Sequence, residues 1–160
     1  MSILRKKVIW VCVGLLVIWI IATTLMPSDK ALITKLVEKG RKACETKNAD
    51  AILGVMSMDY RDNNGMTYIV ARKILENVFT KYDDIKITVR GLKVEVDDDE
   101  KGATATFSAR AEATVLRTKG NPENFPVREV ESVDGVKLHL TKMPTGWRVI
   151  SMEGVNPESY

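Results

Sequence analysis

Histidine is almost missing from this chain: His139 is the only one in 160 residues, and just two cysteines accompany it, Cys12 and Cys44. One histidine and one cysteine outside the apolar N-terminal run cannot furnish a closed nitrogen–sulfur metal set, so no metal and no cofactor is expected. With Cys12 inside that run, Cys44 has no partner for an intradomain disulfide. No Asn-x-Ser/Thr sequon occurs, which argues against a eukaryotic secreted protein. Neither a glycine-rich phosphate loop nor a nucleophile motif can be found. Acid is missing from the first 28 residues; all 21 Asp and Glu come later, together with 21 of the 24 Lys and Arg. The later part is therefore formally neutral. Nucleic-acid binding rests on an excess of cations over one face, and none is available.

What the chain has in abundance sits at its start. Residues 8–26, VIWVCVGLLVIWIIATTLM, contain no charge and 11 Val, Ile or Leu, behind a basic tail over 1–7 that ends in Arg5, Lys6 and Lys7. Nineteen helical residues rise about 28 Å, close to the ~30 Å hydrocarbon core of a bilayer. Trp10 and Trp19 lie toward the ends, where interfacial aromatics belong. The run is longer than a signal-peptide core and lacks a small-x-small cleavage site, so the pattern predicts an uncleaved single-pass anchor. The basic flank places the N-terminus inside and predicts a periplasmic domain on a bacterial inner membrane. The partners expected are the bilayer, through residues 8–26, a membrane protein of unknown identity and a second copy of the chain through the sheet face.

After Pro27 the pattern turns globular, giving one domain over 28–155 and a loose tail over 156–160. Ser28 reads as the N-cap of a helix whose apolar stripe is Leu32, Ile33, Leu36, Val37, Gly40, Ala43 and Cys44. Cys44 thus reads as a buried, inert thiol. Lys35, Lys39 and Lys42 form a row on the opposite face, a solvated surface or a lipid-headgroup contact. Asn48 caps a short helix carrying Ile52, Leu53 and Met56, and residues 58–65 form a turn. Thr67 caps a third helix with the stripe Ala71, Ile74, Leu75, Val78, Phe79 and Tyr82.

The period then changes to two. Ile85, Ile87 and Val89 alternate with polar neighbours, and beyond Gly91 the apolar set becomes Leu92, Val94 and Val96. The slip of one residue at a glycine predicts a β-bulge. Asp97 to Gly102 resemble the start of a calcium loop, but Ser108 stands where the bidentate Glu belongs, so a hairpin turn is expected. In the next strand Ala103, Ala105, Phe107, Ala109, Ala111, Ala113 and Val115 share one face. So little side-chain volume predicts either a helix packed very close or a hollow above the sheet. Val136, Leu138 and Leu140 line a third strand, with His139 pointing the other way, and Trp147 opens a fourth. The fold expected is α+β, three helices on a curved antiparallel sheet of about four strands, behind one transmembrane helix.

The Ala51-Ile52-Leu53 and Met58-Asp59-Tyr60-Arg61-Asp62 stretches, the amphipathic helix after them, and the ending Leu138-x-Leu140-x-Lys142-x-x-x-Gly146-Trp147-Arg148-Val149 resemble the nuclear transport factor 2-like superfamily. The resemblance spans about residues 29–153. It implies a cone-shaped, cystatin-like fold, often dimeric through the sheet face, shared by enzymes and non-enzymes. Enzymes of that superfamily place Asp, Tyr or His inside the cone, whereas the inward positions identified here are apolar. Tyr60 and Asp62 are the one acid–phenol pair read as near a pocket mouth; with Phe107 and Trp147 they form the candidate ligand-binding set, and no catalytic residue is assigned. The function expected is a non-catalytic, membrane-tethered interaction or scaffold domain, with Ile150 and Met152 suited to its interface. The alternatives are binding of a small apolar ligand in the hollow and, less supported by the residues, an isomerase or dehydratase.

Overall fold

The computed structural model describes residues 27–115 and 127–155. The basic tail, the expected anchor over 8–26 and the tail over 156–160 lie outside them. Among the described residues no helix is long and apolar enough to cross a membrane.

Three helices come first. Helix α1, Asp29–Glu45, starts where the Ser28 side chain accepts a hydrogen bond from the Ala31 N–H at 3.3 Å. Helix α2, Ala49–Leu53, is capped by Asn48, and α3, Tyr68–Lys81, by Thr67. All three caps are those the sequence predicts, because a side-chain oxygen is needed where the first N–H groups lack partners. The expected extension of α2 to Met56 does not occur. Gly54 ends the helix, and the chain then runs beside the last strand: Val149 N–H donates to Val55 O at 3.0 Å, Ser57 N–H to Val149 O at 2.8 Å and Arg61 N–H to Ile150 O at 3.0 Å.

Four strands follow, β1 Tyr82–Val96, β2 Gly102–Val115, β3 Val127–Met143 and β4 Gly146–Glu153, each antiparallel to the next in the order β1-β2-β3-β4. Asp97 N–H donates to Gly102 O, closing the hairpin turn between β1 and β2. The sheet is bent by interruptions of register on both sides of one point in β2. On β1 the pairing slips between Arg90 and Lys93, where Gly91 has φ +65°. On β3 it slips between Val133 and Val136, where Gly135 has φ +70°. Both glycines hold a left-handed conformation that a side chain disfavours, and each extra residue bends its strand. Another slip on β1 lies between Asp83 and Lys86, and one near Ile150 on β4 keeps Val149 opposite Leu140 and Met152 opposite Leu138. Met152 therefore packs against the core instead of standing in an outward interface row as expected.

The core lies where α1 crosses the start of β2, the end of β3 and the start of β4. Ile33 and Val37 from α1 meet Ala103, Ala105, Leu140, Trp147 and Val149, with Tyr60 closing one side. The two alanines supply the close approach: with methyl groups on the sheet, α1 can settle until Ile33 and Ala105 are both 0% exposed. Dense packing of this kind is worth about 1.5–3 kcal/mol for each large side chain buried.

Candidate functional site

The same face of β2 behaves differently past Phe107. Ala109, Ala111, Ala113 and Val115 are all only half-buried, and so are their neighbours Ile87 and Val89 on β1. In α3 only Ala71 is buried, while Ile74, Leu75, Val78 and Phe79 of its apolar stripe stay half-buried. An apolar surface thus remains incompletely covered along the far half of the inner sheet face.

Its polar boundary comes from β3. The extra residue at Gly135 shifts the phase of everything before it, so Glu131 pairs with Ala111 and Glu129 with Ala113. Residues directly opposite each other in an antiparallel pair share a face. Both glutamates therefore stand on the alanine side of the sheet. Tyr82 belongs to that side as well, opposite Val115, and its hydroxyl donates to Glu129 Oε2 at 3.0 Å. That hydrogen bond pushes the Tyr82 phenol above its ordinary 10.0, helped by partial burial and by the negative charges of Glu129 and Glu131. Two carboxylates and a phenol at the end of an apolar surface can accept hydrogen bonds from, or offset the charge of, a donor group on a bound molecule. The expectation of a single acid–phenol pair is corrected here, since Tyr82 with Glu129 is a second one.

The four residues singled out from the sequence gather in and around the core: Tyr60 and Trp147 belong to one buried cluster, Phe107 packs against it and Asp62 lies beside Tyr60. Tyr60, 3% exposed, is part of the core, and its hydroxyl lies 3.4 Å from Asp62 Oδ2. Asp62 is buried too; its Oδ1 accepts from the N–H groups of Asn64 and Met66, both at 2.9 Å, which pins the loop that Gly65 turns at φ +80°. This Asx-type bonding closes the turn. Phe107 sits at the boundary between the filled and unfilled parts of the sheet. Trp147 is buried in the same cluster, beside the start of α1, its Nε1–H donating to Asp29 Oδ1 at 2.9 Å while Lys142 lies over its ring at 5.7 Å.

His139 stands on the outer face, as expected from its alternation with Leu138 and Leu140. Its Nδ1 lies 3.4 Å from Thr104 Oγ1 and its Nε2 3.2 Å from Glu153 Oε1. The same face carries Glu112 between Arg110 and Arg128. Cys44 is poorly placed for chemistry: burial, with Glu45 adding a smaller effect, pushes its thiol up to about 11. Among the described residues no group of three His, Cys, Asp or Glu could hold a metal ion.

No protein-family model matches the sequence, and no curated protein matches it. Solved structures do resemble the fold. A nuclear transport factor 2-like protein of Salmonella enterica is 14% identical with a TM-score of 0.63, over 81% of this chain and 91% of that one. A Novosphingobium aromaticivorans protein provisionally named a scytalone dehydratase is 14% identical with a TM-score of 0.58, over 76% and 79%. In a Bdellovibrio bacteriovorus protein, 14% identical with a TM-score of 0.61, the likeness covers 77% of this chain but only 40% of that longer one. At such identities the likeness is one of architecture, and the architecture is nuclear transport factor 2-like, with helices on a curved, cystatin-like sheet.

Proposed function

We propose that this domain is a non-catalytic binding module for a small amphiphilic molecule, taken up against the far half of the inner sheet face. The observation that carries the reading is the junction of a half-covered alanine surface with the Tyr82–Glu129 pair and Glu131. The apolar body would lie along Ala109, Ala111 and Ala113, and a hydrogen-bond donor or cationic end would meet the carboxylates. Ligand sites are mostly apolar surfaces with a few placed polar groups, which is the composition found here. Structural neighbours that include a protein provisionally named a dehydratase are in keeping with a fold that takes up small molecules. Residues 8–26 would hold the module at a bacterial inner membrane.

The test is uptake of 1-aminoanthracene, a flat apolar probe with an amine donor, by the full chain, read by fluorescence. Saturable binding is expected, weakened at least about tenfold by Ala111→Phe, because filling the surface removes most of the apolar contact. Glu129→Gln with Glu131→Gln should weaken it less. Uptake that never saturates, or that Ala111→Phe leaves unchanged, would overturn the reading in favour of the docking or scaffold role, with the outer sheet face and a second copy of the chain as the next surface and partner to examine.

A further inference from the structure

A second recess lies at the other end of the molecule, between α1, the end of α2 and the turn joining β3 to β4. It has a volume of about 320 Å³, and Leu32, Leu36 and Trp147 line it together with Lys35, Lys39 and Arg148. None of these three cations has an acidic partner among the described residues, whereas Lys42, in the same sequence row, leans toward Glu38 at 3.9 Å and lies outside the recess. The Arg148 guanidinium is held in place by donating to Trp147 O at 2.8 Å and Thr145 Oγ1 at 3.4 Å, which leaves further N–H groups to bind an anion. Leu32, at the rim, is 38% exposed. The sequence row of lysines is therefore split by the fold: two of them join an arginine 109 or more residues away around an apolar floor.

We propose that this recess is where the domain rests on an anionic lipid surface, with Lys35, Lys39 and Arg148 meeting headgroup phosphates and Leu32 meeting the apolar boundary beneath them. Two observations select this occupant. The charge is complementary and unneutralised within the described residues, in a part of the chain that is otherwise balanced. The position is also right: Trp147, on the recess wall, is bonded to Asp29, only three residues beyond Met26, and three residues reach at most about 11 Å. A chain held in a bilayer by residues 8–26 brings this end of the domain to the headgroups, so the inference leans on that reading for the location of the recess.

The experiment uses the full chain in nanodiscs of phosphatidylcholine alone or with phosphatidylglycerol, and reads the acetylation rate of each lysine with neutral N-hydroxysuccinimidyl acetate by mass spectrometry. Each cation near an anionic surface gains enough for about a fivefold change in equilibrium, so Lys35 and Lys39 should react about fivefold more slowly in the anionic discs. Lys93 and Lys137, on the outer sheet face, should not change, and Arg148→Gln should return Lys35 and Lys39 toward their neutral-disc rates. Equal rates in both discs, equal slowing of all lysines, or the same protection by inorganic phosphate in neutral discs would each overturn the proposal. Failure of the chain to stay with neutral discs would remove the anchor reading alone. The recess would then be judged by flotation with phosphatidylglycerol vesicles, where loss of binding in Lys35→Gln/Lys39→Gln supports it and unchanged or absent binding overturns it.

Discussion

Strand β2 runs through two environments with a single sequence rule. Alanine stands at almost every inward position from 103 to 113, yet Ala103 and Ala105 are buried and Ala109, Ala111 and Ala113 are only half covered. The residues are alike, so the difference comes from what lies above them. Over the first pair α1 brings Ile33 and Val37 down onto the methyl groups. Past Phe107 the described elements do not bury the surface. Small side chains in a sheet therefore encode neither a close-packed helix nor a hollow; here they permit one at each end.

The largest expected effect lies on the packed side. Ile33→Ala should cost about 2–5 kcal/mol, because Ile33 is 0% exposed and its cavity is ringed by core residues. Urea unfolding of the chain, followed by the midpoint at constant slope, would measure it. A smaller pair of changes tests the comparison directly. Ala105→Leu should overpack and cost about 1–3 kcal/mol, whereas Ala111→Leu should stay within about 0.5 kcal/mol of the parent. Equal losses would mean that the far half is as tightly filled as the near half.

Next comes Gly135→Val, expected to cost about 1–2 kcal/mol through the left-handed backbone at φ +70°. No atom outside its neighbours lies within 4 Å of an added Cβ, so the cost should be conformational and should appear equally in Gly135→Ala in kind, though smaller in size. The smallest effect is a titration. Glu129→Gln should lower the Tyr82 phenol toward 10.0, since the carboxylate hydrogen bond is the main cause of its rise. Ultraviolet difference spectra at alkaline pH, with Tyr82→Phe to identify the signal, would show it. The sign follows from proton linkage: the folded state holds the Tyr82 proton more tightly, so the stabilisation from the pair is present below pH 10.0 and is lost as pH rises through the raised value.

The sequence was informative wherever apolar residues kept time. The bulge at Gly91 could be read because Ile85, Ile87 and Val89 give way to Leu92, Val94 and Val96, and only an extra residue keeps both sets on one face. The bulge at Gly135 is physically the same device, yet it left no such trace. Val127, Val130 and Val133 are three apart, so they mark no period of two, and the structure puts Val127 and Val133 inward with Val130 outward. That missing phase leaves Glu129 and Glu131 without a legible face in the sequence, whereas Tyr60 and Asp62 stand in a turn that its composition marks. Helix starts were legible because a cap is a local bond between residues three apart. The pairing of residues 55–61 with β4 was not, because backbone groups make it and every residue carries those.

That last pairing has a consequence for how copies of the chain can meet. A sheet exposes two rows of unpaired backbone groups, one at each outer strand, and endless stacking of molecules strand to strand needs both. On the β4 side the N–H groups of Ser57 and Arg61 already occupy carbonyls of Val149 and Ile150, and Val55 O takes the Val149 N–H. Beyond β1 no strand pairs among the described residues, although Glu45 Oε1 accepts from the Ile87 N–H at 3.0 Å there. A copy approaching strand to strand therefore meets an edge already occupied at Val149 and Ile150 on one side and side chains of α1 bonded to Ile87 on the other, which works against endless stacking of the folded domain.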